Sequence, residues 1–201
     1  MHYPNFFDDI PSIELSDPLS AILGTFEQGE YFISYLDLVK GSGHSCPSIA
    51  GAYLMSFHAL KELYPDSKIQ RGNIRVDFNE DITEGTTGVV ANVISYITGA
   101  TDKSGFKGLN GNFIRHSLMH FNAAVASIRF TRIDTQVSVD VFYDASVVPA
   151  DEQLTTLMKT LMQGKADKKQ KQTFARLWQE RVKSILIDNF DNDKLIHVKR
   201  A

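Results

Sequence analysis

The chain has 201 residues, 43% of them hydrophobic and 10% aromatic, enough to bury a full core in one domain with an appendage. A formal charge of −3 leaves no basic excess, so neither nucleic acid nor an anionic membrane is expected as a partner, and small molecules or proteins are. The single cysteine, Cys46, excludes an intramolecular disulfide framework and any multi-cysteine zinc ribbon, and with no secretory leader or membrane span in the sequence it predicts a cytoplasmic protein.

Residues 1–30 read as an N-terminal arm followed by a short helix over Leu19–Leu23, with Asp17 as N-cap, Pro18 at its first position and Gly24 as its stop. The apolar run Tyr31–Val39 is ambiguous between strand and helix and leans to helix. From Pro47 to Tyr64, apolar residues at Ile49, Ala52, Tyr53, Phe57, Leu60 and Tyr64 recur with helical period, predicting a helix with one buried stripe that Pro65 ends. Ile74–Phe78 alternates as a half-buried strand does, and Glu84–Thr98 is expected to be a second helix.

Three strands are then predicted, over Asn112–His116, Ala124–Thr131 and Gln136–Tyr143, the last two joined as a hairpin. The fold class is thus α+β, with an α-β-α-β-β-β core and a mixed sheet over residues 31–148. Apolar stripes at Leu154–Met162 and Phe174–Ile185 predict two helices in a C-terminal extension, residues 149–201, packed on the core. Its tail after Asn189 is expected to fray or to dock a partner.

The run Gly43-His44-Ser45-Cys46-Pro47 carries the chemistry. Pro47 suits the first helical position, which puts Cys46 at the N-cap, where the helix dipole favours a thiolate. His-x-Cys brings an imidazole nitrogen and a sulfur together, donors that suit zinc or another divalent transition metal. On spacing alone the structural reading is preferred, with Cys46 a small buried residue and His44 bonded to a carbonyl.

Chain direction adds candidates. The Pro47–Tyr64 helix must run antiparallel to the Ile74–Phe78 strand, so Cys46 should lie near Phe78, and the start of the second helix brings Glu84, Thr86 and Thr87 there as ligand-cleft residues. A parallel return strand would deliver His116 as a third metal ligand, with His120 close by. Taken singly, the structural readings are preferred, with Glu84 a first-turn carboxylate favoured by the helix dipole and each histidine a half-buried one with a satisfied nitrogen. The glycine-rich loop Gly99–Gly111 reads as a connector, since it matches neither a P-loop nor a dinucleotide fingerprint, and Lys168–Lys171 as a solvated first turn.

Gly43–Pro47, Ala50-Gly51-Ala52-Tyr53 and Ile97-Thr98-Gly99-Ala100-Thr101 resemble the formylmethanofuran dehydrogenase E-subunit family over roughly residues 30–187. The resemblance implies an α-β-α-β-β-β domain similar to the catalytic domain of glyceraldehyde-phosphate dehydrogenase, a metal, usually zinc, at the histidine-cysteine motif, and a homodimer. This chain departs from the pattern where many members carry cysteines, at the Thr86-Thr87 region and at Ala100, and it carries no cysteine after Cys46 for a C-terminal zinc finger. The expected function is metal binding by His44, Cys46 and His116 with a small-ligand cleft alongside. The alternatives are a metal-dependent enzyme using Glu84 or a histidine to move protons, and an accessory protein docking a larger oxidoreductase.

Overall fold

The computed structural model describes residues 2–201. The short helix forms as predicted: α1 (Pro18–Ile22) starts at Asp17, whose carboxylate accepts from Leu19 N at 3.0 Å, and Gly24 follows with φ 67°. The preceding arm is structured too. Its β1 (Ile13–Ser16) alternates buried Ile13 and Leu15 with exposed Glu14, and pairs antiparallel with β2 (Glu30–Ile33) and parallel with β3 (Ile69–Gln70). The ambiguous Tyr31–Val39 run is strand and then helix. Ser34 and Asp37 form a reciprocal capping box that ends the extended segment and opens α2 (Tyr35–Ser42).

The next helix, α3 (Pro47–Leu63), matches the predicted span but is buried on more than one stripe. Ala50, Gly51, Leu54, Met55 and Ser56 are covered along with the predicted Ile49, Tyr53 and Leu60, because α3 lies between α4 (Thr87–Thr98) on one side and a five-stranded sheet on the other. That sheet has the order β5-β4-β6-β7-β8, built from β4 (Ile74–Phe78), β5 (Met119–His120), β6 (Ile128–Arg132), β7 (Ser138–Tyr143) and β8 (Ile196–Arg200). β4 is parallel to β5 and antiparallel to β6, so the sheet is mixed and the fold is α+β, in the predicted α-β-α-β-β-β order.

Period-two alternation sends Ile74, Val76 and Phe78 to the helices and Asp77 to the other face. There the register sets His120, Asp77, Arg129, Asp140 and Lys199 in one row across the sheet. Arg129 grips Asp140 with two bonds of 2.7 and 2.8 Å.

Several boundaries differ from the prediction for local reasons. Asp81 closes a turn on Thr83, and Gly85 has φ 51°, so the second helix starts at Thr87 instead of Glu84. Asn112–His116 is no strand: Phe113 sits at φ 61° between the left-handed Gly111 and Ser117, and the extended pairing moves to Met119–His120. The helices α5 (Gln153–Met162) and α6 (Lys168–Lys183) appear where the stripes predicted them, and α6 packs on α3. The tail does not fray. It returns as β8 on the outer edge of β7, burying Leu195 and Ile196.

Candidate metal centre

α2 ends because Gly43 takes the left-handed conformation, φ 75°, with its N–H on Val39 O at 2.8 Å. The chain then extends through Cys46, φ −151°, so that Pro47 opens α3. Cys46 is the N-cap by position, yet its side chain makes no capping hydrogen bond, and the half-buried thiol is free.

Side chains from three distant elements fix the loop. Trp178 Nε1 donates to Ser45 O at 2.9 Å, and Gln179 Nε2 donates to the same oxygen at 3.3 Å. Tyr143 OH donates to Pro47 O at 3.0 Å, and the hydroxyls of Tyr35 and Ser45 share a bond of 2.9 Å. Sequence reasoning does not find this brace. Its signal is Trp178, whose indole N–H needs an acceptor when half-buried.

His44 is exposed, with Nδ1 3.0 Å from Ser42 O. A carbonyl can only accept, so Nδ1 carries the hydrogen and Nε2 presents a lone pair. The predicted carbonyl bond therefore exists, and it holds the tautomer that a metal-bound histidine needs.

Nitrogen from His44 and sulfur from Cys46 fit a zinc-like ion in kind. In number they supply two donors of the four such an ion takes. Among the described residues no three His, Cys, Asp or Glu side chains gather as a metal-binding group.

The remaining predicted residues separate. His116 does not reach the loop, because it lies before β5, and a strand parallel to β4 must begin at the Ile74 end of the sheet. Its neighbour Arg115 packs there against Gly72 and Gly99, while the His116 ring bonds Ser117 Oγ at 3.0 Å through Nδ1. His120 does arrive at the Phe78 end, but on the outer face, where Nδ1 is 2.8 Å from Asp77 Oδ1. Glu84 is exposed in the turn before α4, and its carbonyl accepts from Thr87 N. Ala100 is fully buried beyond the far end of α4 from Thr87, so the departure there lies away from the loop.

Thr86 and Thr87 do line a cleft, of about 130 Å³, with Met55, Phe78, Glu80 and Tyr143. The buried Thr87 hydroxyl donates to Glu80 at 2.5 Å, which makes Glu80 the carboxylate of this cleft in place of Glu84. Tyr143 joins cleft and loop: it lines the first, bonds Pro47 O in the second, and its ring fills the space a Cβ at Gly51 would take. Met55 stands just over two turns along α3 from Pro47, roughly 12 Å, so cleft and loop are neighbours across this ring and not one cavity.

Burial pushes the Tyr143 hydroxyl up to about 12, with Arg181 opposing the shift and Cys46 adding to it. Burial also raises Tyr35, where the Ser45 hydrogen bond opposes and Cys46 again adds. The sulfur is thus within electrostatic reach of both rings.

A comparison with curated proteins finds no match for the chain. The family model described as FmdE, Molybdenum formylmethanofuran dehydrogenase operon, matches residues 42–192, from just before Gly43 to just before β8. With most of its length inside that match, including the loop, α3, the cleft and the bracing α6, the chain belongs to the FmdE family.

Proposed function

We propose that this FmdE-family chain is a metal-binding protein in which His44 Nε2 and Cys46 Sγ hold a zinc-like divalent ion, and that two copies of the chain meet at this loop to complete the coordination. The observation that carries the reading is the contact of His44 Nδ1 with Ser42 O. The Nδ1–H is committed to that carbonyl, and the free Nε2 stands two residues from an unengaged thiol on a loop braced from α2, β7 and α6.

His44 is exposed and Cys46 half-exposed, so a second copy has access to both. Two such pairs give two nitrogens and two sulfurs, a tetrahedral set zinc accepts. The ion would fix the loop and, if a position stayed open, would act as a Lewis acid toward a bound group.

The cleft at Thr87 and Glu80 takes a small ligand in this reading. Its walls offer a carboxylate, hydroxyls and the apolar sides of Met55 and Phe78. A thiol that must stay reduced to bind metal suits the cytoplasm, and the description of the family supports a larger oxidoreductase assembly as the setting.

Cobalt(II) substitution tests the ligand pair. Thiolate-to-cobalt absorption in the near ultraviolet is expected on titrating the reduced, tag-free chain, absent in Cys46→Ser and weakened roughly tenfold or more in affinity by His44→Ala. A spectrum without thiolate ligation, or one unchanged in Cys46→Ser, would overturn the proposal.

A further inference from the structure

A second cavity, of about 540 Å³, lies between α1, β2 and the end of α4, away from the loop of His44 and Cys46. It is within the size range of small-molecule sites. At its base, Asp17 is 5% exposed and holds two arginines, Arg115 Nη2 on Oδ1 at 2.5 Å and Arg71 Nη1 on Oδ2 at 3.2 Å. Two cations share one carboxylate there, so the triad itself is net positive, while Asp37 adds a second carboxylate to the cavity wall.

Asp17 and Arg71 line the cavity, and Arg115 stands behind them. Arg71 Nε and Nη2 donate to Tyr96 O at 3.4 and 3.1 Å. Of the five guanidinium N–H groups, these bonds and the one to Asp17 engage three and leave two for a ligand.

Ser20 lines the same cavity, but its hydroxyl oxygen is shut off from solvent and so is not turned into the open space. The remaining walls are aromatic and apolar: Phe26 and Tyr31 stack at 4.8 Å, and Leu23, Phe32 and Tyr96 form a rim that is 63%, 64% and 47% exposed. Asp37 is the other carboxylate on the wall, and it is held by the N–H and hydroxyl of Ser34.

From this arrangement we infer that the cavity binds a small organic anion with an apolar or aromatic body, its carboxylate on Arg71 and its body against Phe26, Tyr31 and Tyr96. Planar carboxylate recognition by a half-buried guanidinium is bidentate and charge-assisted, and it discriminates strongly against the neutral amide.

Phenylacetate and its neutral isostere phenylacetamide are the probes, titrated into the full chain and followed by two-dimensional NMR. Saturable shifts confined to Ser20, Phe26, Tyr31, Arg71 and Tyr96 are expected with the acid, with roughly tenfold weaker binding of the amide. Arg71→Gln should abolish that discrimination, and Leu23→Ala, at the exposed rim, should weaken both probes while keeping it. Equal binding of acid and amide by the wild-type chain, or no saturable shift with phenylacetate at millimolar concentration, would overturn the inference whether or not Arg71→Gln folds. So would shifts at these residues that follow protein concentration alone, since they would mark the rim as a self-association surface. The metal loop has no part in either probe's binding, so loss of the His44 and Cys46 reading would leave this result standing.

Discussion

Single side chains decide which histidines can serve the loop. His44 and His116 look alike in sequence, each on a polar segment beside a helix or strand end. The structure gives His44 a carbonyl that fixes its tautomer, and places His116 at the opposite end of the sheet. Which end a residue reaches depends on where a strand begins, and a shift of β5 from Asn112–His116 to Met119–His120 exchanges one histidine for the other. Chain direction alone points Thr87 toward the His44–Cys46 loop, and the structure sets it in the cleft beside that loop. Glu80 is not legible in that way, because its pairing with Thr87 depends on the turn that Asp81 and Gly85 impose. At this scale Tyr143 carries a pH prediction. Burial raises its hydroxyl from an ordinary value of 10.0 to about 12, and raises Tyr35 and Tyr53 too. The unfolded chain therefore releases these protons first, so their contribution to stability is intact below pH about 10 and is lost as pH rises through about 12. Thermal unfolding against pH should show a midpoint that falls over this window, with a shallower fall in Tyr143→Phe. That variant should also lose about 1 kcal/mol at neutral pH with its bond to Pro47 O.

Among the elements, those with complete local signals were readable in the sequence and those made by long-range pairing were not. α3 has proline at its first position and a helical apolar period, β4 alternates cleanly, and α1 has its Asp17 cap. In contrast β1 and β8 are four- and five-residue segments, and each is extended only because a partner strand lies beside it. A two-residue strand such as β5 has no period at all. The brace from α6 belongs to the same class, since Trp178 and Ser45 are 133 positions apart. Trp178→Phe keeps the ring packing and removes the donor, leaving Gln179 alone on Ser45 O. Urea unfolding should show a loss of about 1 kcal/mol, and cobalt affinity should fall with it. Arg176→Ala, which removes only an exposed helix pair with Glu180, should stay within about 0.5 kcal/mol of wild type and leave the metal site unchanged.

In the whole molecule, the chain ends close the structure that its middle begins. The N-terminal arm supplies Phe7, Ile10, Ile13 and Leu15 to the core, and Asp17 ties it to Arg71 and Arg115. The C-terminal segment supplies both the brace on the metal loop and the last strand of the main sheet. Among the described residues no helix is long and apolar enough to cross a membrane. The loop with His44 and Cys46 stands at the surface of this body, and each chain offers a nitrogen and a sulfur where a zinc-like ion takes four donors. Metal content and native mass, measured together on tag-free reduced protein, test that claim most directly. The predicted result is a dimer holding one ion per two chains, which releases metal and dissociates on chelation, and whose ion is missing from the His44→Ala/Cys46→Ala variant. A monomer with a full ion per chain, or a dimer whose metal content the double variant leaves unchanged, would contradict it.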